Sequence, residues 1–391
     1  MDFSFTEEQK MIANSAKEVA QDFPPAYWRE KDAKVEFGEE FWKAISKAGF
    51  TGLILPEEYG GSGKGMTELL IAMEKLVANG CGIAGAVYLL GSEVFGGLSI
   101  IHHGTEEQKK KYLPGIASGE IEFCMGLTEP DAGSNTLNTK TRATKTDNGW
   151  VINGNKTFIT GADRARAMML ITRTTPVEKA PRKAFGLSLF LVDMPDPAIT
   201  VTPIAKHGMN NIHTCDVGIG DLKVPEDALM PPLDGGWYSL LGTLNTERMT
   251  LATGCIGVAK LAISKAVDYS KERKVFGDVP IGSYQALQFP LAEAYAGMEA
   301  AKVLNFKAST LFDNGASLTE VGDAANMAKV VAIESSTKAV YWAMQTLGGH
   351  GYARDNDIER WWREINLLRL APISQQMALN YIGEHILGMP R

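Results

Sequence analysis

The chain has 391 residues, 45% hydrophobic and 22% charged, a balance that excludes a largely disordered chain and suits two or three packed domains. Its 39 basic and 46 acidic side chains leave a net charge of −7, which argues against nucleic acid as the main partner. The four cysteines, Cys81, Cys124, Cys215 and Cys255, stand far apart with no CxxC pair, so neither a disulfide scaffold nor a zinc ribbon is expected.

The first third predicts helices. Residues 7–20, 41–48 and 66–77 repeat apolar side chains every three to four positions with charges between them. The run Pro56-Glu57-Glu58-Tyr59-Gly60-Gly61-Ser62-Gly63 interrupts them as a loop. Thr105 caps a further helix expected to end near Pro114. The opening MDFSFTEEQK turns acidic at once, unlike a secretory signal. No unbroken apolar run approaches the roughly 18 residues of a membrane span. A soluble protein of the cytoplasm or an organelle matrix is therefore expected, without membrane insertion.

The texture changes near Phe123. Trp150-Val151-Ile152 and Lys156-Thr157-Phe158-Ile159-Thr160 flank Asn153-Gly154 and predict a β-hairpin, because Asn-Gly accepts positive φ. Residues 168–172, 187–192 and 199–203 add short β-rich runs separated by turn residues, which suggests an antiparallel sheet. From Trp237 the pattern returns to long helices. The expectation is an α+β multidomain chain: an N-terminal helical domain over 1–121, a middle antiparallel β domain over 122–235 and a C-terminal helical bundle over 236–391.

Several catalytic patterns fail. Gly61-Ser62-Gly63-Lys64-Gly65 is no phosphate loop, since Glu58 takes its first glycine position and Gly65 replaces the magnesium-holding Ser or Thr. No clean GxGxxG opens a helix after a strand, no GxSxG elbow occurs, and the six histidines lack metal-ligand spacing. No metal is expected. Three segments stand out. Gly126-Leu127-Thr128-Glu129-Pro130-Asp131-Ala132-Gly133-Ser134-Asn135 gathers hydroxyls and small residues that let a ligand approach the backbone. Gln345-Thr346-Leu347-Gly348-Gly349-His350-Gly351-Tyr352 ends a helix with three glycines where one suffices as a cap. Lys271-Glu272-Arg273-Lys274-Val275-Phe276-Gly277 offers either a basic helix end or, through Arg273, a phosphate-binding fork.

In this order the segments resemble the acyl-CoA dehydrogenase family over essentially the whole chain. Leu127-Thr128-Glu129-Pro130 with Ala132-Gly133-Ser134 is similar to its first signature, and Gln345-x-x-Gly348-Gly349-x-Gly351-Tyr352 to its second. Arg273-x-x-Phe276-Gly277, Asn153-Gly154 and Phe158-Ile159-Thr160 also fall where the family has motifs. The resemblance implies a four-helix bundle as the last domain, a homotetramer, and FAD held between the β domain and the bundle. It places Thr128, Ser134, Phe158 and Thr160 along the flavin or thioester chain, with Ser134 also on the substrate. Arg273, Phe276, Gln345 and Gly349 would hold the FAD of a neighbouring subunit, and Ser374 and Gln376 match C-terminal flavin contacts. Asn135 replaces a usual Asp, and Phe158 a frequent Trp.

Dehydrogenating an acyl-CoA between Cα and Cβ needs a shielded carboxylate for the α-proton, flavin N5 for the β-hydride, and donors for the thioester oxygen. Many members carry the base near the C-terminus, where this chain has Ala371-Pro372-Ile373-Ser374 with Pro372 in the Glu place. A second location, used by isovaleryl- and long-chain-type enzymes, matches Glu247 of Leu244-Asn245-Thr246-Glu247-Arg248. Glu247 is the expected catalytic base. Arg248 beside it is a candidate for CoA or a substrate carboxylate, or an ordinary helix ion pair. Pro372 lacks the N–H that relatives offer the thioester carbonyl. The implied activity is an FAD-dependent acyl-CoA dehydrogenase passing electrons to an electron-transfer flavoprotein. The alternatives on this scaffold are enoyl-CoA reduction, or elimination without net oxidation.

Overall fold

A computed structural model describes residues 4–390; residues 1–3 and 391, the outer ends of the first and last expected domains, lie outside the described residues. Helix α1 (Glu7–Gln21) opens on a capping box. The Gln9 N–H donates to Thr6 Oγ1 at 3.1 Å, and the Thr6 N–H donates back to Gln9 Oε1 at 3.1 Å. Helices α2 (Pro25–Lys34), α3 (Glu39–Lys47) and α4 (Met66–Leu76) follow, the last one residue shorter than its predicted span. The chain then passes through a π turn at Val77–Cys81, α5 (Ala84–Leu89), a π stretch at Leu90–Leu98 and α6 (Ser99–His103). Thr105 caps α7 (Glu106–Ser118) as expected, but the helix runs past Pro114. Buried Ile116 and Ala117 hold its last turn, and Gly119 closes it at φ 79°.

The middle of the chain forms an eight-stranded sheet. In chain order its strands are β1 (Phe123–Gly126), β2 (Arg142–Thr146), β3 (Gly149–Thr160), β4 (Ala167–Arg173), β5 (Leu187–Asp193), β6 (Ile199–Pro203), β7 (Thr214–Val224) and β8 (Leu229–Met230). Their spatial order is β6-β7-β3-β2-β4-β5-β8, with β1 parallel to β4. Strand β4 is buried along its whole length. Met169 and Ile171 join the helical core while Met168 and Leu170 join a separate core within the sheet domain, as side-chain alternation dictates.

The predicted hairpin at Asn153-Gly154 is not there. Strand β3 runs through both residues, and the pairing with β7 merely slips between Ile152 and Gly154. The turn lies earlier, at Asp147-Asn148 between paired Thr146 and Gly149. Gly154 sits at φ 157°, where an added Cβ would stand 2.4 Å from Thr141 Oγ1. Its glycine serves a bulge and a close approach, which leave the same signature as a turn.

The remainder is helical. Helix α8 (Gly236–Glu272) leads into a small hairpin of β9 (Lys274–Val275) and β10 (Val279–Pro280). Helices α9 (Gln285–Asp313), α10 (Leu318–Leu347), α11 (Gly349–Tyr352), α12 (Ile358–Leu367) and α13 (Gln375–Tyr381) complete the chain. Helix α8 is the axis of the molecule, packed against α9 and α10 and against α4, α5 and α6. Two stretches, Ala84–His103 and Gly236–Glu272, are long and apolar enough to cross a membrane, unlike the expectation from unbroken runs. Their apolar windows are 78% and 72% buried within the fold, which identifies both as core helices.

A buried ionic network closes the chain on itself. Arg29 of α2 reaches Asp357 at 2.5 Å, Asp357 and Glu364 flank Arg360 at 3.4 and 3.2 Å, and Arg363 holds Asp32 at 2.8 Å. Asp357, Arg360 and Glu364 have almost no exposed surface.

Candidate active site

Glu247 lies in the first half of α8, only 8% exposed. Among the described residues its carboxyl receives no hydrogen bond. Burial pushes its pKa up to about 8, opposed by the positive charges of Arg248 and Lys329. Such a group is a weak acid kept out of water, and a strong base once its proton is lost. One turn earlier, Thr243 shares a 2.8 Å hydroxyl contact with Ser99 of α6, which ties this part of α8 to the N-terminal helices.

Arg248 points into the same layer. One of its terminal nitrogens donates to Asn245 Oδ1 at 2.5 Å, while its Nε is buried without a partner. The Tyr381 phenol of α13 faces it and is itself held by Asp323 at 2.9 Å. The segment between α12 and α13 carries Pro372, half-buried. Glu334 of α10 pins that segment at both ends, accepting from Arg369 at 3.0 Å and from Gln375 Nε2 at 2.9 Å. Ser374 caps α13, its Oγ accepting from the Met377 N–H at 3.2 Å, and Gln376 beside it is exposed.

Thr128 and Ser134 lie in the loop after β1, and Phe158 and Thr160 at the end of β3. The Thr157 N–H donates to Thr128 O at 2.9 Å, which sets the loop after β1 against β3. Beneath that loop Lys156, buried, donates to Glu129 at 2.8 Å and to Leu127 O at 3.1 Å. Glu129 also accepts the N–H groups of Lys140 and Thr141. Phe158 is 64% exposed at φ 58°, an unusual backbone for an aromatic residue, and Ser134 and Thr160 are exposed.

Arg273 and Phe276 follow the end of α8, and Gln345 and Gly349 lie at the end of α10 and the start of α11. A Tyr269–His350 ring contact at 5.9 Å brings the ends of α8 and α10 together. Phe276 is 92% exposed at φ 48°, and the Arg273 guanidinium is exposed without an ion pair among the described residues. Of the three glycines, Gly351 is required by its own chain, since a Cβ there would stand 2.6 Å from Met344 O. Gly348 adopts φ 57°, whereas Gly349 has open space around it and no internal reason to be glycine. At about 1.5 Å per residue along α8, Arg273 is roughly 39 Å from Glu247. The fold thus keeps the two groups apart within one chain.

These surfaces suit a flavin nucleotide. The β end offers hydroxyls, backbone groups and an exposed ring, and the α8/α10 end offers a free guanidinium, an aromatic face and a glycine open to close approach. Lys329, Glu334 and the Lys156–Glu129 pair were absent from the sequence expectations. Lys329 could have been found, because it falls on the buried stripe Ala325, Lys329, Ala332, Ser336 at helical spacing.

Family models described as acyl-CoA dehydrogenase N-terminal, middle and C-terminal domains match residues 6–120, 124–222 and 234–387. The acyl-CoA dehydrogenase FadE12 of Mycobacterium tuberculosis is 37% identical, covering 100% of this chain and 98% of its own. The caffeyl-CoA reductase-Etf complex subunit CarC of Acetobacterium woodii is 33% identical over 94% of each chain. Among solved structures, butyryl-CoA dehydrogenase from Megasphaera elsdenii superposes with a TM-score of 0.93 at 28% identity, over 99% of this chain and 100% of that one.

Proposed function

The chain belongs to the acyl-CoA dehydrogenase family of oxidoreductases, and from that membership we propose that it is an FAD-dependent enzyme that dehydrogenates an acyl-CoA thioester with Glu247 as its base. The observation that carries this reading is the buried, unbonded Glu247 carboxyl in the middle of the packed helices, with Pro372 at the other place where the family keeps its base. Bound FAD supplies the acceptor for the electron pair leaving the substrate. Glu247 takes the α-proton onto a carboxylate oxygen that no donor among the described residues occupies. The surrounding α6, α8 and α10 side chains exclude water, so the proton has few other acceptors.

Thr128, Ser134, Phe158 and Thr160 would line the flavin and thioester, with Ser374 and Gln376 on the flavin from the C-terminal side. Arg273, Phe276, Gln345 and Gly349 would hold the FAD of a neighbouring subunit in a homotetramer. Their distance from Glu247 along α8 supports that division. Arg248, with an unpartnered Nε, is the substrate-side cation. An electron-transfer flavoprotein is the proposed electron partner, in keeping with the Etf complex named for the Acetobacterium relative.

Anaerobic titration of the flavin-loaded protein with short, long, branched and carboxylated acyl-CoAs tests this reading. One class should bleach the flavin absorbance, and Glu247→Gln should abolish the bleaching. Reduction of an enoyl-CoA is the second reading, favoured by the reductase relative. It predicts a flavin that resists every saturated acyl-CoA but, once reduced, is reoxidised by an enoyl-CoA.

A further inference from the structure

One buried cation has no part in the reaction so far. Lys329 of α10 is 0% exposed, and its ammonium has no hydrogen-bond partner among the described residues. An isolated ammonium in a protein interior is strongly disfavoured unless an opposite charge faces it.

Two contacts fix how α10 lies on α8. Asn245 Nδ2 donates to Leu318 O at 3.1 Å and sits against Gly322, where a Cβ would stand 3.4 Å from its amide. Farther along both helices, the Cys255 thiol faces Ser336. The helices therefore run parallel in register, and Lys329, midway between Gly322 and Ser336, enters the layer between Glu247 and Cys255. Glu247, Arg248 and Cys255 face it from α8, and Arg369 faces it from the segment after α12. The neighbouring carboxylates are engaged elsewhere, Glu334 with Arg369 and Gln375, and Asp323 with Tyr381.

We propose that Lys329 is a positioning residue for Glu247: its ammonium favours the ionised carboxylate from across the α8/α10 layer without bonding to it, and so sets the pH at which the base becomes competent. The proposal rests on the reading of Glu247 as the base. Distance is essential to the arrangement. A direct ammonium–carboxylate bond would occupy the lone pair that must take the proton, whereas a charge held further off stabilises the anion and leaves that lone pair free. Burial acts on the two groups in opposite senses, raising Glu247 to about 8 and lowering Lys329 to about 8, and each charge opposes the effect of burial on the other. Each charge favours the ionised form of the other, so removing one member must move the other.

The test compares flavin-loaded wild type, K329M, K329Q and K329R. The rate of anaerobic flavin bleaching is followed against pH with the active acyl-CoA. In parallel, infrared difference spectra against E247Q follow the protonation of the Glu247 carboxyl in substrate-free protein. In K329M the acid limb and the infrared midpoint should both move upward by about one pH unit, a roughly tenfold loss of rate on that limb. K329R should stay near wild type. The same comparison is read from K329Q where K329M does not fold. An unmoved limb and infrared midpoint in a neutral variant that binds flavin would overturn the proposal, as would failure of both neutral variants to fold, which would make Lys329 structural. Retained bleaching in E247Q would instead overturn the assignment of the base. An inactive E247Q with an unmoved limb in K329M would sink the role of Lys329 alone.

Discussion

Glu93 shows how one side chain can couple stability to pH in the N-terminal helices. It is fully buried in the π stretch Leu90–Leu98 and accepts the N–H groups of Leu53 at 2.7 Å and Ile54 at 3.3 Å. Burial raises its pKa to about 8 despite those two donors. The folded chain therefore binds this proton more tightly than the unfolded chain. The contribution is complete below the ordinary carboxylate range and is lost as pH rises through about 8. Glu93→Gln should accordingly show a melting midpoint that gains on wild type as pH rises from 5 to 8, measured by scanning calorimetry on both proteins. A constant difference across that range would show that the folded and unfolded chains hold the Glu93 proton equally, so that burial does not raise its pKa. At this scale the sequence was half legible. Glu247 could be chosen because Pro372 occupies the competing position, but Glu93 carries a charge that residue type alone assigns to solvent, and the spacing that puts Lys329 on a buried stripe does not say what faces it. Only the packing around them makes them chemically unusual.

Among elements, the loop after β1 is the one whose shape depends on a single buried ion pair. Lys156 comes from β3, and Glu129 from the loop, where it also holds the backbone of Lys140 and Thr141. Removing Lys156 leaves a buried carboxylate unpaired, at a cost of about 3 kcal/mol. If half of that is felt by the loop that carries Thr128 and Ser134, FAD should bind about tenfold more weakly. Lys156→Met, titrated with FAD by fluorescence, should show that loss. Lys145→Met, which breaks the exposed Lys145–Glu226 pair on nearby β2, should leave affinity nearly unchanged. The helices were readable because apolar spacing and caps such as Thr105–Gln108 are local signals. The Asn153-Gly154 bulge was misread because its glycine answers to Thr141, a neighbour that no local window contains.

Across the whole molecule, apolar side chains remain uncovered where α8 and α10 end. Phe276 is 92% exposed and Tyr352 81%, alongside exposed Phe289 and Tyr295 on α9. Surface of this kind is expected to be covered by another subunit. Phe276→Ser combined with Tyr352→Ser should lower the sedimentation coefficient and loosen FAD together, if subunit contact and cofactor binding share this surface. Loss of one without the other would separate them. The order of helix, sheet and helix was legible from texture alone, since each region keeps its own period. How the regions close on one another was not, because that depends on residues hundreds of positions apart. Arg29 and Asp357 meet across 328 residues of chain, with Arg360 and Glu364 beside them. On a ribosome adding about 5–20 residues per second, α2 would wait roughly 15–65 s for its partner. During that interval its cation must remain in water and its neighbours incompletely packed. The last helices to be translated thus act as a lock on the first, and a chain released early exposes to proteases and chaperones a start that has nothing to close against.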